Sequence, residues 1–294
     1  MITAQKMGTI TWVDVLSPTN EEIIQLQKTY NLSEDVAHDL MIPTLMPRID
    51  ECDEHLYTVL HFPANKHSHR ENSQEVDFIV GKNFLITVRY DTIDSIYLLF
   101  KSFEVGSILT DGDRFTHAYE LFFIVLRKMY ESVLDELSSM EDCFDGIEKA
   151  VFDGREKAMV AAISNESRTL LDFKRTLIPH EEVLDTLQEV GVRQFGKDFN
   201  KDISVILKEY RRTLNRIHNN TEALIELRET NNTLVSTKQS EIIKIFTILA
   251  FITFPLTLII NIIQADQEII WTLILLVCIS IGAMFMFFKY KKWL

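Results

Sequence analysis

SEIIKIFTILAFITFPLTLIINIIQADQE, residues 240–268, decides how the rest of the chain is read. From Ile245 to Ile263 it runs about 19 residues without a charge, long enough for a helix to cross the hydrocarbon of a bilayer. A second uncharged run, Ile269 to Phe288, follows after only Gln264-Ala265-Asp266-Gln267-Glu268, so the two spans are expected to form a tight hairpin. Lys244 precedes the first span and Lys289, Lys291 and Lys292 follow the second, while the linker has no Lys or Arg. The positive-inside bias then puts both chain ends on the cytoplasmic side of a plasma or inner membrane that the chain crosses twice. Trp271 and Trp293 suit the interfacial depths of such a membrane.

The two spans differ in one respect. The second is largely apolar, with Gly282-Ala283 as its small pair, whereas the first carries Thr253, Thr257, Asn261 and Gln264, separated by four, four and three residues. These positions share one helical face, and extended inward that face passes Ala250, Phe246, Ile243 and Ser240. Polar groups within a span face a bundle interior or a water path. Hydrogen bonding between helices accounts for any one of them; four in succession on one face favour a pore lining. Two spans cannot enclose a pore, so several copies are expected to meet around an axis.

No Gly or Pro lies between Gly196 and Pro255. A single helix of about 55 residues, about 85 Å long, is therefore expected to run into the first span. Ile203, Leu207, Tyr210, Leu214, Ile217, Thr221 and Leu224 alternate at four and three, a coiled-coil-like seam that offers a means of gathering copies. The seam continues through the polar Arg228 and Asn231, which suits a wet central cavity.

Upstream, the pattern is that of a mixed α/β domain followed by acidic helices. Strands are expected at 9–15, His55–Phe62, Glu75–Val80 and Asn83–Tyr90, and helices at Glu21–Tyr30 (capped by Thr19 or Asn20) and Asp35–Met41. From Phe115 apolar residues recur at helical spacing, a further helix spans Glu156–Leu177, and Pro179 ends it before a shorter one to Val190. The expected divisions are a cytoplasmic α/β domain (1–112), acidic coat helices (113–196), a stalk helix (197–244), the first span (245–263), an outer loop (264–268), the second span (269–288) and a basic tail (289–294).

The net charge of −13 argues against nucleic-acid binding, which needs a basic face. Cys52, Cys143 and Cys278 are far apart and form no disulfide framework or zinc motif. The N-terminal stretch lacks the apolar core of a signal peptide, so most of the chain is expected to stay in the cytoplasm. There is no Walker A motif, nucleophile triad or HExxH, so neither an enzyme nor a cofactor is expected. His61, His67 and His69 lie close in sequence and could bind Zn²⁺ or Ni²⁺, but read better as a solvated strand connection.

Several stretches together carry a family resemblance: Trp12-Val13-Asp14-Val15 with Pro18-Thr19-Asn20-Glu21-Glu22; Pro47-Arg48-Ile49-Asp50 to Leu60; Phe84 to Val88; Leu170 to Pro179; Ile242 to Ile248; Pro255-Leu256-Thr257; and Lys291-Lys292-Trp293-Leu294. Their order, with two C-terminal spans, resembles the CorA family of magnesium transporters and its zinc-transporting relatives, over nearly the whole chain. The resemblance implies an α+β membrane protein built as a funnel-shaped homopentamer. Each copy would have an N-terminal α/β/α cytoplasmic domain and a stalk helix continuing into the pore-lining span. It implies passive, gated flow of divalent cations, Mg²⁺ foremost with Zn²⁺, Co²⁺ and Ni²⁺ open, and pore-facing Ser240, Ile243, Phe246 and Thr257. Ile243 and Phe246 would form an apolar constriction that gates by dewetting. Lys289, Lys291 and Lys292 would form a basic ring at the inner side. The family's regulatory metal lies between cytoplasmic domains on acidic residues; Asp50, Asp53 and Asp202 are the candidates here.

The family ends its pore helix with Gly-Met-Asn. This chain has Gln264-Ala265-Asp266 there, and a shorter outer loop. Mg²⁺ dehydrates reluctantly, so a capture site holds it through its water shell with neutral oxygens. Asn261 is then the expected capture ring, with Asp266 and Glu268 at the outer mouth as an electrostatic funnel. A second reading is a scaffold that does not conduct and serves as a metal sensor or membrane organiser. The missing motif supports that reading, and the intact polar stripe opposes it.

Overall fold

The structure, a computed structural model, describes residues 1–52, 54–63, 73–104 and 115–263, and beyond these 271, 274, 275, 278, 279, 282, 283 and 286. Two compact units divide the chain, residues 1–228 and 229–294.

The first unit is built on a six-stranded mixed sheet. Its strands are β1 (Ile2–Met7), β2 (Ile10–Leu16), β3 (Arg48–Glu51), β4 (His55–Pro63), β5 (Ser73–Gly81) and β6 (Phe84–Arg89), in spatial order β1-β2-β6-β5-β4-β3. The β2–β6 pair is parallel and every other neighbour antiparallel. Two helices, α1 (Asn20–Tyr30) and α2 (Glu34–Asp39), fill the crossover between β2 and β3. Thr19 begins α1 through a reciprocal capping box with Glu22, which satisfies two otherwise orphaned amides.

Alternation along the strands divides the core into two layers. Val13, Val15, Tyr57, Val59, Ile79, Ile86 and Val88 pack under Ile23, Leu26, Val36 and Leu40 of the first two helices. The opposite face presents Trp12, Phe62 and Phe78. There α3 (Asp94–Glu104) sets Phe100 4.9 Å and Phe103 5.7 Å from Trp12, ring centre to ring centre. The long α4 (Ala118–Ala150) sets Phe122 against Phe78 and Tyr130 against Phe62. A helix, sheet and helix arrangement results, with both sheet faces covered.

Asp14 and Arg89 are charged and lie inside this layer. Arg89 donates to Asp14 through Nη2 (2.9 Å) and Nε (3.2 Å), Thr87 Oγ1 donates to Asp14 Oδ1 (2.8 Å), and Trp12 Nε1 donates to Thr87 (3.1 Å). Both ions are almost fully buried. Asp14→Ala would strand the guanidinium, so a loss of about 3–5 kcal/mol is expected, measured as a fall in the unfolding midpoint of the purified protein.

After α4, the connection Val151–Arg155 turns the chain, with Gly154 at φ 88°, into α5 (Glu156–Leu177). Then come α6 (His180–Phe195) and α7 (Phe199–Ile263). His180 fastens α6 to the sheet: Nε2 donates to the His61 carbonyl and Nδ1 accepts from the Tyr130 hydroxyl, each at 2.8 Å. Burial holds this imidazole neutral, with its pKa lowered to about 3. α6 runs past Val190, where the sequence suggested its end. Gly191 leaves room for the Phe199 ring to lie directly on the helix.

The expected seam on α7 is displaced by one residue in two places. The buried positions include Ile203, Ile206, Leu207, Tyr210, Thr213, Ile217, Asn220, Leu224 and Leu227, so Ile203, Leu207, Tyr210, Ile217 and Leu224 lie where they were expected, while Thr213 and Asn220 stand where Leu214 and Thr221 were expected. The physical reason is a partner within the same chain. Asn220 Nδ2 donates to the Leu137 carbonyl of α4 (3.1 Å), and Arg216 pairs with Glu141 of α4. Arg228 sits off the seam and bonds Ser167 of α5. Up to residue 228 the buried seam thus faces the coat helices of its own chain.

In the second unit α7 continues as helix through Pro255 to Ile263, the end expected for the first span. Of the second expected span, the described positions 271, 274, 275, 278, 279, 282, 283 and 286 are helical.

Candidate cation pathway

α7 is long and apolar enough to cross a membrane, and the apolar window that qualifies it has no buried residues in the single chain. The candidate residues Ser240, Ile243, Phe246, Ala250, Thr253, Thr257 and Asn261 are all helical and all exposed. Ile243 is 53% and Phe246 66% exposed, so one chain alone closes no constriction around them.

The hydroxyls along this helix are bonded alike. Thr253 Oγ1 donates to the Ala250 carbonyl (3.2 Å), Thr257 to Thr253 (3.0 Å), Thr247 to Ile243 (2.8 Å) and Ser240 to Ser236 (3.0 Å). Each proton is spent on the helix's own backbone, which leaves the oxygen lone pairs facing outward. The face is thus a ladder of neutral acceptors. First-shell water on a divalent cation presents hydrogens, so such a ladder suits a hydrated cation.

One part of this face escaped the sequence reading. Asn232, Thr233, Ser236, Thr237 and Ser240 line a shallow uncharged concavity on α7, inward of the apolar run. Thr233 and Thr237 repeat the backbone bonding, each at 2.9 Å. Asn232 and Ser236 continue the side of the helix that carries Ser240 and Ile243. The available signal was a stretch of Asn, Ser and Thr carrying only one charge, Lys238, between Glu229 and Glu241.

The other expected site residues are placed as follows. Asp50 pairs with Arg48 at 3.0 Å. Asp202 is half-buried beside Asp198 and Lys201; burial, and then Asp198, raise its pKa. Among the described residues no three metal-ligating side chains converge. His61 is turned beneath a loop, with Nε2 2.9 Å from the Thr44 carbonyl and 3.2 Å from Glu75 Oε2. Asp53, His67, His69, Gln264, Ala265, Asp266, Glu268, Lys289, Lys291 and Lys292 lie outside the described residues.

An α/β/α unit followed by one long helix running into an apolar stretch is what the family resemblance implied. The family model described as "CorA-like Mg2+ transporter protein" matches residues 8–292. The chain belongs to the CorA family. Among its relatives, the cobalt/magnesium transport protein CorA of Thermotoga maritima is 23% identical, covering 98% of this chain and 84% of its own length. The magnesium transport protein CorA of Wolinella succinogenes is 21% identical over 99% of this chain and 94% of its own. The complete structure of the CorA magnesium transporter from Methanocaldococcus jannaschii superposes with a TM-score of 0.75 at 19% identity, over 97% of this chain and 92% of that one. The fold is therefore that of the CorA transporter structure it superposes on.

Proposed function

We propose that this CorA family member carries divalent cations passively across a cell membrane, Mg²⁺ foremost, through a pore lined by α7 from five copies. The observation that carries this reading is the outward-facing ladder of neutral oxygens at Ser240, Thr253 and Thr257, extended by Asn261. Exposed in one chain, these groups need company inside a membrane, and a ring of copies provides it around water. Asn232 and Ser236 extend the same path inward.

In this reading Asn261 forms the capture ring and Asp266 and Glu268 the acidic mouth. Ile243 and Phe246 form the apolar gate, and Lys289, Lys291 and Lys292 ring the cytoplasmic side, where both chain ends lie. The driving force is the membrane potential: a doubly charged ion falling through 100 mV gains about 4.6 kcal/mol, so no catalysed step and no cofactor is required. The test is uptake of Mg²⁺, Co²⁺, Ni²⁺ and Zn²⁺ into liposomes holding the purified protein, under an inside-negative potential. Saturable uptake of at least one ion is expected. Absence of uptake of all four by an assembled oligomer would overturn conduction and leave the scaffold reading.

A further inference from the structure

Two oxygens in the first unit, Glu75 Oε1 and Asp77 Oδ1, are buried and have no donor. They belong to carboxyls two residues apart on the same face of β5, near enough for the charge of Glu75 to act on Asp77. Asp77 is fully buried and Glu75 nearly so.

Every neighbouring element contributes a polar group. From β4 come His61 and Tyr57, the latter's hydroxyl buried without a partner. From β3 comes Arg48, whose charge is already engaged by Asp39 of α2 and by Asp50. After β6, the Tyr90 hydroxyl donates to Asp77 Oδ2 at 2.8 Å and lies 3.3 Å from the Leu40 carbonyl. From the loop between α2 and β3, the Thr44 amide donates to Glu75 Oε2 at 2.6 Å, and the Thr44 carbonyl accepts from His61.

Two ionised carboxylates here would set two bare acceptors against each other in a dry layer, which is costly. One proton removes the conflict: Asp77 Oδ1–H donates to Glu75 Oε1. We infer that Glu75 and Asp77 form a proton-binding site that holds one shared proton at neutral pH and thereby latches the loop from Leu40 to Pro47 onto the sheet. Burial first, and then the charge of Glu75, push the Asp77 carboxyl well above the usual carboxylate range; the Tyr90 bond and Arg48 oppose this only in part.

The latch consists of the bond that Glu75 Oε2 accepts from the Thr44 amide, with His61, which donates to the Thr44 carbonyl, and the Tyr90 hydroxyl, which donates to Asp77, packed beside it. When the shared proton leaves, repulsion displaces Glu75 and its bond to the loop with it. That loop carries Ile42, Leu45 and Met46 exposed at the surface, so the proton governs how an apolar patch is held. The sign follows from an acid whose pKa is raised by folding: its contribution is complete below the ordinary Asp value and is lost as pH rises through the raised one.

The experiment is hydrogen exchange at the Thr44 amide of the full chain in lipid nanodiscs, from about pH 5 to about pH 9, corrected for intrinsic rates. In the wild type, exchange at Thr44 is expected to accelerate about tenfold or more as pH rises. Asp77→Asn offers an N–H to Glu75 Oε1 without a titrating proton, so it should keep Thr44 protected at every pH; Glu75→Gln serves if that variant does not fold. The infrared spectrum of the wild type should also show a protonated carboxyl band at neutral pH that either variant removes. Corrected exchange independent of pH in the wild type, the same pH dependence in the variants, or no protonated carboxyl band would overturn the inference.

Discussion

Replacing Asn261 by alanine is expected to lower divalent uptake by about tenfold or more, equivalent to raising the barrier by about 1.4 kcal/mol or more. Asn261 lies near the C-terminal end of α7, exposed, one turn beyond Thr257 on the same face. Its amide oxygen is neutral and can accept from the water of a cation that keeps its shell. Alanine removes that acceptor and leaves the helix intact. Asn261→Asp separates charge from hydrogen bonding: it keeps the oxygens but adds a negative charge per copy. Tighter binding and slower release are expected, read as uptake that saturates at lower ion concentration with a lower maximum. Unchanged uptake in Asn261→Ala would move the capture site outward, to Asp266.

Replacing Phe246 by serine is expected to act in the opposite direction and raise resting uptake by about tenfold or more. Phe246 and Ile243 lie three residues apart, both largely exposed in the single chain, at the N-terminal end of the apolar stretch. Rings of such side chains exclude water when they approach one another, and a dry gap stops a hydrated ion more effectively than a narrow wet one. A serine hydroxyl wets the gap. Ile243→Ser should act in the same sense and Phe246→Leu should leave uptake closed. Resting uptake in proteoliposomes, at low internal divalent ion and without added effectors, is the measurement for all three.

The elements legible from sequence were those with strong periodicity. The limits Glu156–Leu177 for α5 agree with the structure, and the four strands expected were found, because alternation and breakers both marked them. The strands β1 and β3 were not expected. They are short sheet edges with sequences ITAQKM and RIDE, rich in polar residues and without a regular alternation to detect. On α7 apolarity alone chose Leu214 over Thr213, whereas the structure buries Thr213 and Asn220, the latter because its amide reaches a carbonyl of the neighbouring helix.

The same contrast holds for the functional groups. Thr253, Thr257 and Asn261 stand out because they are polar within an apolar run, whereas Asn232 and Ser236 are polar among polar residues and were passed over. Glu75 and Asp77 alternate with Val76 and Phe78, a pattern that reads as a solvent-facing edge of a strand. Only the structure places α2 and its following loop over that face, which turns two ordinary acids into a buried pair.

The claim that α7 lines the path is tested most directly by single cysteines placed from Ile252 to Asn261, one at a time, in a chain whose Cys52, Cys143 and Cys278 have been replaced by serine. Each variant is reconstituted and exposed to a water-soluble, membrane-impermeant thiol reagent while divalent uptake is followed. Block is expected at Thr253, Thr257 and Asn261 and not at Ile252, Phe254 or Ile259. Block on the opposite face of the helix, or at none of these positions in a protein that still takes up ions, would contradict it.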